Sequence, residues 1–255
     1  FCLAALYIVI ESWLNERSTN TNRGMVFATY SMITLTMMAA GQMMTLLYNP
    51  IGLQLFVITS VLFSIGAVPI ALSSALSPAQ PASTETDIRG LFKVSPSGTI
   101  GCFVVGMANG SFWGLAPVYA SAVGDPAKMA AWFMAAAVIG GAILQWPLGL
   151  LSDALGRRKI LVAVCILGAS AGVALAMLAP HLGFSGIVLL GGAWGAFAFP
   201  MYSIVVAYAN DYADHDEYVK VSAGLLLVYG IGAIIGPFVA SALITLRGAE
   251  GLFLF

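Results

Sequence analysis

The sequence predicts an all-α polytopic membrane protein, and three observations support this prediction. The 255 residues are 60% hydrophobic and only 8% charged, with a mean hydropathy of +0.95, whereas soluble domains carry about 25% charged residues. Uncharged runs are long enough to cross a bilayer, since residues 24–84 contain no Asp, Glu, Lys or Arg and a spanning helix needs about 20 apolar residues. The basic residues also concentrate in alternate connections, as the positive-inside tendency predicts.

Charge-free windows divide the chain into predicted spans. These runs are continuous rather than alternating, which favours helices over barrel strands. Residues 1–14 form the end of one span, and residues 24–84 hold two spans separated by the turn-forming sequence "YNPIG" at 48–52. Further spans are predicted at about 97–120, 128–151, 160–179, 184–209 and 221–246, with another beginning near Gly251. The sequence thus predicts seven complete and two partial transmembrane helices.

A Pro- and Ser-rich polar segment at residues 77–96 is interpreted as a linker between two units. The first unit is residues 1–76, and the second is residues 97–255. The chain starts inside an apolar run and stops at "GLFLF", where another run begins. We therefore expect it to be part of a longer protein.

The distribution of Lys and Arg predicts the orientation of the chain. If the connection at 152–159 is cytoplasmic, the connections at 15–23, 77–96 and 210–220 are cytoplasmic too. These segments hold eight of the ten basic residues, and the opposite side holds Lys128 and Arg247. This asymmetry agrees with the positive-inside tendency and independently supports the number of spans.

The sequence "GLLSDALGRRK" at residues 149–159 gathers four charges between two long uncharged runs. Gly149 is expected to permit close helix approach, and Gly156 to take a positive φ in the turn between two helices. Asp153 lies at the membrane edge, and Arg157 and Arg158 can fork onto carboxylates. We interpret the segment as a structured gate element. The alternative is an ordinary positive-inside loop, which needs only the basic residues.

This segment resembles the loop motif of the major facilitator superfamily. The matching positions are Gly149, Leu151, Ser152, Asp153, Gly156, Arg157 and Arg158. Ala154 departs from the motif, where the family usually has Arg or Lys. The stretches "VIESWLNERSTNTNRGMVFATYSM" and "LLLVYGIGAIIGP" also resemble the YcaD-type bacterial branch of that family.

The resemblance implies a fold of twelve helices in two bundles of six, with this chain running from late helix 4 to early helix 12. It implies transport by alternating access through a central cavity. It also implies that Asp153 packs against the start of helix 11, near residues 220–222. The Arg157–Arg158 pair would meet acids at the inner end of helix 10, such as Asp211.

Polar and aromatic residues inside the spans are the candidates for solute contact. Asn109 and Trp113 are four residues apart and share a helix face, and an unpaired amide near mid-membrane would be costly. Gln42, Tyr202 and Tyr229 are the other cavity candidates. Each could instead form a hydrogen bond between helices.

Glu11 lies about one turn inside the first partial span, where a carboxylate is functional by default. It is a candidate for an ion pair, for instance with Arg23, or for proton coupling. The complete spans have no Asp, Glu, Lys or Arg at their centres. The sequence therefore offers no obvious proton carrier within them.

Glycines recur at four-residue spacing and predict close contacts between helices. They are Gly106, Gly110 and Gly114; Gly168 and Gly172; Gly191 and Gly195; Gly232 and Gly236.

The sequence contains no catalytic constellation, metal-ligand cluster or cofactor motif, so we expect neither an enzyme nor a cofactor. Three clustered basic residues are too few for a nucleic-acid site. We expect a monomeric transporter of a small organic solute in a bacterial inner membrane, in contact with lipid and with a coupling proton or ion as a further partner. The alternative is a membrane sensor or scaffold that keeps the transporter fold without transport.

Overall fold

A computed structural model describes residues 10, 13–14, 23–48, 52–72, 88–213 and 218–254. The described residues form α-helices and two short 3₁₀ turns, with no strand among them. The helices are α1 (Arg23–Met44), α2 (Leu53–Leu72), α3 (Ile88–Val94), α4 (Pro96–Val123), α5 (Pro126–Leu155), α6 (Arg157–Leu178), α7 (Phe184–Asn210) and α8 (Tyr218–Arg247). The 3₁₀ turns are Ala179–His181 and Ala249–Phe253.

The helices agree with the predicted all-α fold, and α1, α2 and α4 to α8 lie at the predicted positions of the complete spans. The 3₁₀ turn Ala249–Phe253 occupies the place where a further span was predicted to begin. Helices α4 to α8 are each long and apolar enough to cross a membrane. Helices α1 and α2 contain the shorter apolar segments Met32–Met44 and Leu53–Pro69, and they lie on either side of the predicted turn at 48–52. The described part of the predicted linker is not irregular, because Ile88–Val94 forms α3 and α4 already begins at Pro96.

The starts of α4 and α5 follow from their capping residues. Ser95 accepts a hydrogen bond on its side chain from the Gly98 backbone N–H, and Pro96 occupies the first helical turn. Asp125 accepts one from the Lys128 backbone N–H at 2.8 Å, and Pro126 follows it. A side-chain acceptor followed by proline satisfies N–H groups that lack helical partners.

Glycines bring the helices of the second unit together in two interlocked pairs. In the pair α4–α8, a Cβ at Gly106 would clash with the Tyr229 carbonyl, and one at Gly232 would clash with the Phe103 carbonyl. In the pair α5–α7, Gly195 faces the Ala137 carbonyl in the same way. The prediction of close contact is confirmed for these glycines, since the backbones approach too closely for any side chain. Gly114, Gly168 and Gly172 make only ordinary contacts.

Two main apolar cores fill the second unit. Aromatic rings dominate the core at the C-terminal half of α4, where Phe112 stacks on Trp194 with ring centroids 4.7 Å apart. The hydroxyl of Tyr119 in that core donates a hydrogen bond to the Leu175 carbonyl at 3.1 Å. The other core lies at the N-terminal half of α4 and includes Cys102 and Leu225. A smaller cluster joins α5, α6 and α7.

Helices α1 and α2 differ from the later helices in their contacts. Helix α1 packs against α5 of the second unit, whereas α2 makes no extensive contact with another described helix. Most described side chains of α2 are exposed.

Candidate gate and solute-contact residues

The turn between α5 and α6 is a single glycine. Helix α5 ends at Leu155, α6 begins at Arg157, and Gly156 between them has φ 97°. This φ lies in the region that favours glycine, so the predicted positive φ is confirmed. A Cβ at Gly156 would meet no atom within 4 Å. The requirement for glycine therefore comes from the backbone angle and not from lack of space.

Arg157 joins two carboxylates, and we call this group of three residues the Arg157 clasp. Arg157 Nη2 lies 3.1 Å from Asp153 Oδ1, and Arg157 Nε lies 2.8 Å from Asp211 Oδ2. The arginine side chain is 30% exposed, and the carboxylates are 63% and 49% exposed. Because Asp153 is on α5 and Asp211 follows α7, the clasp connects the ends of three helices. Its exposure limits each ion pair to about 0.2–1 kcal/mol.

A second polar contact joins α7 to α8 beside the clasp. Asn210 Nδ2 donates a hydrogen bond to Ser222 Oγ at 3.1 Å. The Asn210 Oδ1 atom is buried without a hydrogen-bond partner. Asn210 thus connects the end of α7 to α8, and Asp211 connects it to α6.

The expectations for Asp153, Lys220 and Gly149 have different outcomes in the structure. Asp153 forms an ion pair with Arg157, which lies four residues further along the chain and across the Gly156 turn, and its contact with the start of α8 stays a prediction. The side chain of the expected neighbour Lys220 lies outside the described part. No described atom lies within 4 Å of a Cβ built at Gly149, so this glycine does not bring a described helix close.

The expected contact of the arginine pair with Asp211 is present for Arg157 only. Arg158 is exposed and makes no ion pair with a described carboxylate. The nearby Tyr212 has a raised pKa, first because its hydroxyl forms a hydrogen bond with Tyr208 and then through charge interactions with that residue. Arg158 partly opposes this rise in the Tyr212 pKa.

Three of the predicted cavity residues lie together, although they come from three different helices. Asn109 on α4 is 4% exposed, and its Nδ2 donates a hydrogen bond to the Tyr229 hydroxyl on α8 at 3.3 Å. The Tyr229 ring packs against the Tyr202 ring of α7 with centroids 4.8 Å apart. The Asn109 Oδ1 atom is buried and has no partner. The alternative interpretation, a hydrogen bond between helices, thus applies to Asn109 and Tyr229.

Trp113 lies one turn beyond Asn109 and stacks on Phe199 of α7, with ring centroids 5.6 Å apart and an interplanar angle of 22°. Both rings are half-buried. Gln42 is placed elsewhere, in the last turn of α1. Glu11 and the Arg23 side chain lie outside the described residues.

Sequence reasoning missed one polar pair between α5 and α7. Gln145 Nε2 on α5 donates a hydrogen bond to Ser203 Oγ on α7 at 3.1 Å, and Ser203 Oγ donates to the Pro200 carbonyl at 2.8 Å. The sequence could have pointed to Gln145, because it is the only Asn or Gln in the uncharged run 129–152. Among the described residues, no group of three or more His, Cys, Asp or Glu is placed to hold a metal ion.

Comparison with known proteins shows what this chain resembles. The family model described as "Major Facilitator Superfamily" matches residues 98–255. Proteins of Escherichia coli strains HS, SMS-3-5 and 55989, each described as "Uncharacterized MFS-type transporter YcaD", are 31% identical to this chain over 242 residues. The match covers 92% of this chain and 60% of each relative, so the chain spans less than two thirds of their length. From this similarity and the apolar helices, the chain is a multi-pass membrane protein of the major facilitator superfamily.

Proposed function

We propose that the full-length protein is a secondary transporter that moves a small organic solute across a bacterial inner membrane by alternating access. Membership of a family of transporters supports this proposal. The observation that carries it is the Arg157 clasp at the Gly156 turn. It joins three helix ends through exposed ion pairs that can break and reform, as a conformational switch requires. In this proposal residues 15–23, 77–96, 152–159 and 210–220 face the cytoplasm.

The clasp is suited to bias a conformational equilibrium rather than to lock it. Two exposed ion pairs contribute about 0.4–2 kcal/mol together. A bias of about 1.4 kcal/mol changes a population ratio tenfold, so the clasp can favour one state while leaving the other accessible. The glycine-locked pairs α4–α8 and α5–α7 supply rigid bodies that move as units.

Coupling to an ion is a separate part of the proposal. In the described helices, the charged residues lie in terminal turns or connections, so these helices supply no proton carrier at mid-membrane. Glu11, with Arg23 as a pairing candidate, remains the position assigned to coupling or to a structural ion pair. The working unit is a monomer without a cofactor and without catalytic activity.

Uptake into proteoliposomes tests this function. The full-length protein is reconstituted and offered a panel of neutral, anionic and cationic solutes, and at least one is expected to move faster than into empty vesicles. Crosslinking a cysteine pair placed in the connections 15–23 and 152–159, in a background without native cysteines, should stop that flux. Flux for no solute in the panel contradicts transport, and unchanged flux after crosslinking contradicts the proposed gate.

One observation favours a non-transporting sensor or scaffold as the second candidate. A described cavity of about 220 Å³ is lined by apolar side chains such as Val105, Phe112 and Met201, and the Asn109 cluster lies outside it. A solute pathway filled by packed side chains would suit a protein that senses rather than transports. Absence of flux together with retained solute binding would support this candidate.

A further inference from the structure

Five uncharged polar side chains from four helices form two contact groups that meet at consecutive residues of α7, and we call these five residues the neutral band. Helix α7 contributes Tyr202 and Ser203, which follow one another in the chain. Tyr202 contacts Tyr229 of α8, which is hydrogen-bonded to Asn109 of α4. Ser203 accepts a hydrogen bond from Gln145 of α5. One position on α7 thus connects both glycine-locked helix pairs through polar groups.

The Asn109 amide has more hydrogen-bonding capacity than the described residues satisfy. Its Nδ2 donates to Tyr229, and its Oδ1 is buried without a partner. If the amide were turned over, Oδ1 would accept from the Tyr229 hydroxyl and the NH₂ group would lose its partner instead. In either orientation the Tyr229 hydroxyl forms a hydrogen bond with only one end of the Asn109 amide, so the other end has no partner among the described residues.

The members of the band differ in access to solute. Tyr229, Tyr202 and Gln145 are half-buried, and Ser203 is exposed, whereas Asn109 is 4% exposed. In the described orientation the Tyr229 hydroxyl accepts from Asn109 and keeps its own O–H available to donate. Asn109 is therefore a positioning residue for Tyr229, and the more accessible members are the contacting groups.

Within the described helices, charged residues lie away from the middle of the spans. Every described charged residue in or next to these helices lies in a terminal turn, in the seven-residue helix α3, in the 3₁₀ turn Ala249–Phe253, or beside a helix end: Arg23, Arg89, Lys93, Asp125, Lys128, Asp153, Arg157, Arg158, Lys159, Asp211, Lys220, Arg247 and Glu250. An ion brought against the band would lose hydration without gaining an opposite charge from these helices. An uncharged polar group would lose much less hydration free energy than an ion.

Aromatic surface adjoins the band on two of its helices. Trp113 is one turn from Asn109 on α4, and Phe199 is one turn from Tyr202 on α7. Their rings stack on one another and are each half-buried, which leaves part of the aromatic surface uncovered. Such surface favours a flat or ring-shaped apolar group.

We propose that the neutral band, with Trp113 and Phe199, is a binding subsite for an uncharged solute that carries a ring and a hydrogen-bonding amide or hydroxyl group. The inference rests on the proposed transport function only for what happens after binding. It assigns the accessible polar contacts to Tyr229, Gln145 and Ser203, and the ring contact to the aromatic pair. A charged solute binds more weakly because the side chains of the band include no counter-ion.

Equilibrium binding to the purified full-length protein in nanodiscs tests the subsite with benzamide, benzoate and benzylamine. These probes share a ring and differ in charge, so they isolate the proposed selectivity. We expect benzamide to bind in the millimolar range usual for small fragments, and the two ions to bind at least about tenfold more weakly. Tyr229→Phe should weaken benzamide binding about tenfold, whereas the matched control Tyr212→Phe, outside the band, should leave it unchanged.

The variant Asn109→Asp distinguishes a role of Asn109 in positioning Tyr229 from a role in stability alone. It keeps the size of the side chain and introduces a carboxylate, so the preference should move from benzamide towards benzylamine. Weaker binding of all three probes with unchanged relative preference would indicate only damage and would overturn the assignment of Asn109. The subsite itself is overturned by absent benzamide binding, equal binding of the three probes, or equal effects of Tyr229→Phe and Tyr212→Phe. Binding as expected without uptake of any solute would overturn transport and leave the subsite standing.

Discussion

The Arg157 clasp and the neutral band use polar groups in opposite ways. The clasp consists of charged, exposed side chains, two of them from one short stretch of sequence, at a helix end. The band consists of uncharged side chains from four helices, which range from exposed Ser203 to buried Asn109. No two of its members except Tyr202 and Ser203 are neighbours in sequence. Water makes ion pairs weak and reversible at the clasp, whereas its exclusion makes each unmet hydrogen bond costly in the band. The two regions are therefore suited to different tasks, switching and recognition, and variants should separate them.

The largest effect on the free energy of unfolding is expected from Gly106→Ala, which acts on the band. The new Cβ would fall on the carbonyl of Tyr229, so α8 must move away at the residue that holds the Asn109 amide. Overpacking of this kind costs about 1–3 kcal/mol. Unfolding in detergent should show this loss, and benzamide binding should fall with it.

Gly230→Ala is the matched control on α8, because a Cβ there meets no atom within 4 Å. It should preserve both stability and binding. Equal behaviour of the two alanine variants would contradict the close approach of α4 and α8.

Gly156→Ala is expected to have the next largest effect, and it acts on the turn beside the clasp. Alanine at φ 97° stores about 1–2 kcal/mol of backbone strain. Solute uptake and stability should both fall, while benzamide binding should persist because the band is remote from the turn. Gly149→Ala is the control, since it has open space and no positive φ; if it proves as harmful as Gly156→Ala, the backbone argument is wrong.

Arg157→Gln should lower stability by about 0.5–1 kcal/mol, because it removes both ion pairs of the clasp. High salt should shrink the difference from the unchanged protein, since screening weakens exposed ion pairs. The measurement is unfolding at low and high salt. Arg158→Gln, which removes an exposed arginine with no ion pair among the described carboxylates, should show a smaller effect and little salt dependence; the reverse order would refute the clasp.

Asp153→Ala should have the smallest effect on stability, below about 0.5 kcal/mol, because its pair with Arg157 is 63% exposed on the carboxylate side. Its expected effect on uptake is large, since the proposed switch loses one of its two acids. Membrane insertion and uptake are measured on the same preparation. Uptake at the original rate would remove Asp153 from the gate.

Much of the fold could be predicted from sequence because a membrane imposes simple rules on it. Uncharged runs located α4 to α8, and "YNPIG" located the break between α1 and α2. Helix α3 was missed because seven residues inside a polar segment give too short a pattern to distinguish from a loop. Gly156 was predicted correctly because its role depends on local backbone geometry alone.

The candidate sites were less predictable because they depend on which helix faces which. Asn109, Tyr202 and Tyr229 were identified one by one as polar residues in apolar spans, but their meeting depends on the packing of three helices. The pairing of Gln145 with Ser203 depends on the α5–α7 contact in the same way. Asp153 was assigned a distant partner although Arg157 lies four residues away, since the effect of the Gly156 turn on that distance cannot be read from spacing.

The backbone contacts at Gly106 and Gly232 also affect how this protein can diversify. Because α4 and α8 touch through main-chain atoms, the distance between them is independent of the side chains on their other faces. Substitutions at Asn109, Trp113 or Tyr229 can then change the side chains that line the proposed subsite without changing the positions of the helices. Under the proposed transport function, a scaffold built in this way would accept new solute preferences with few compensating mutations.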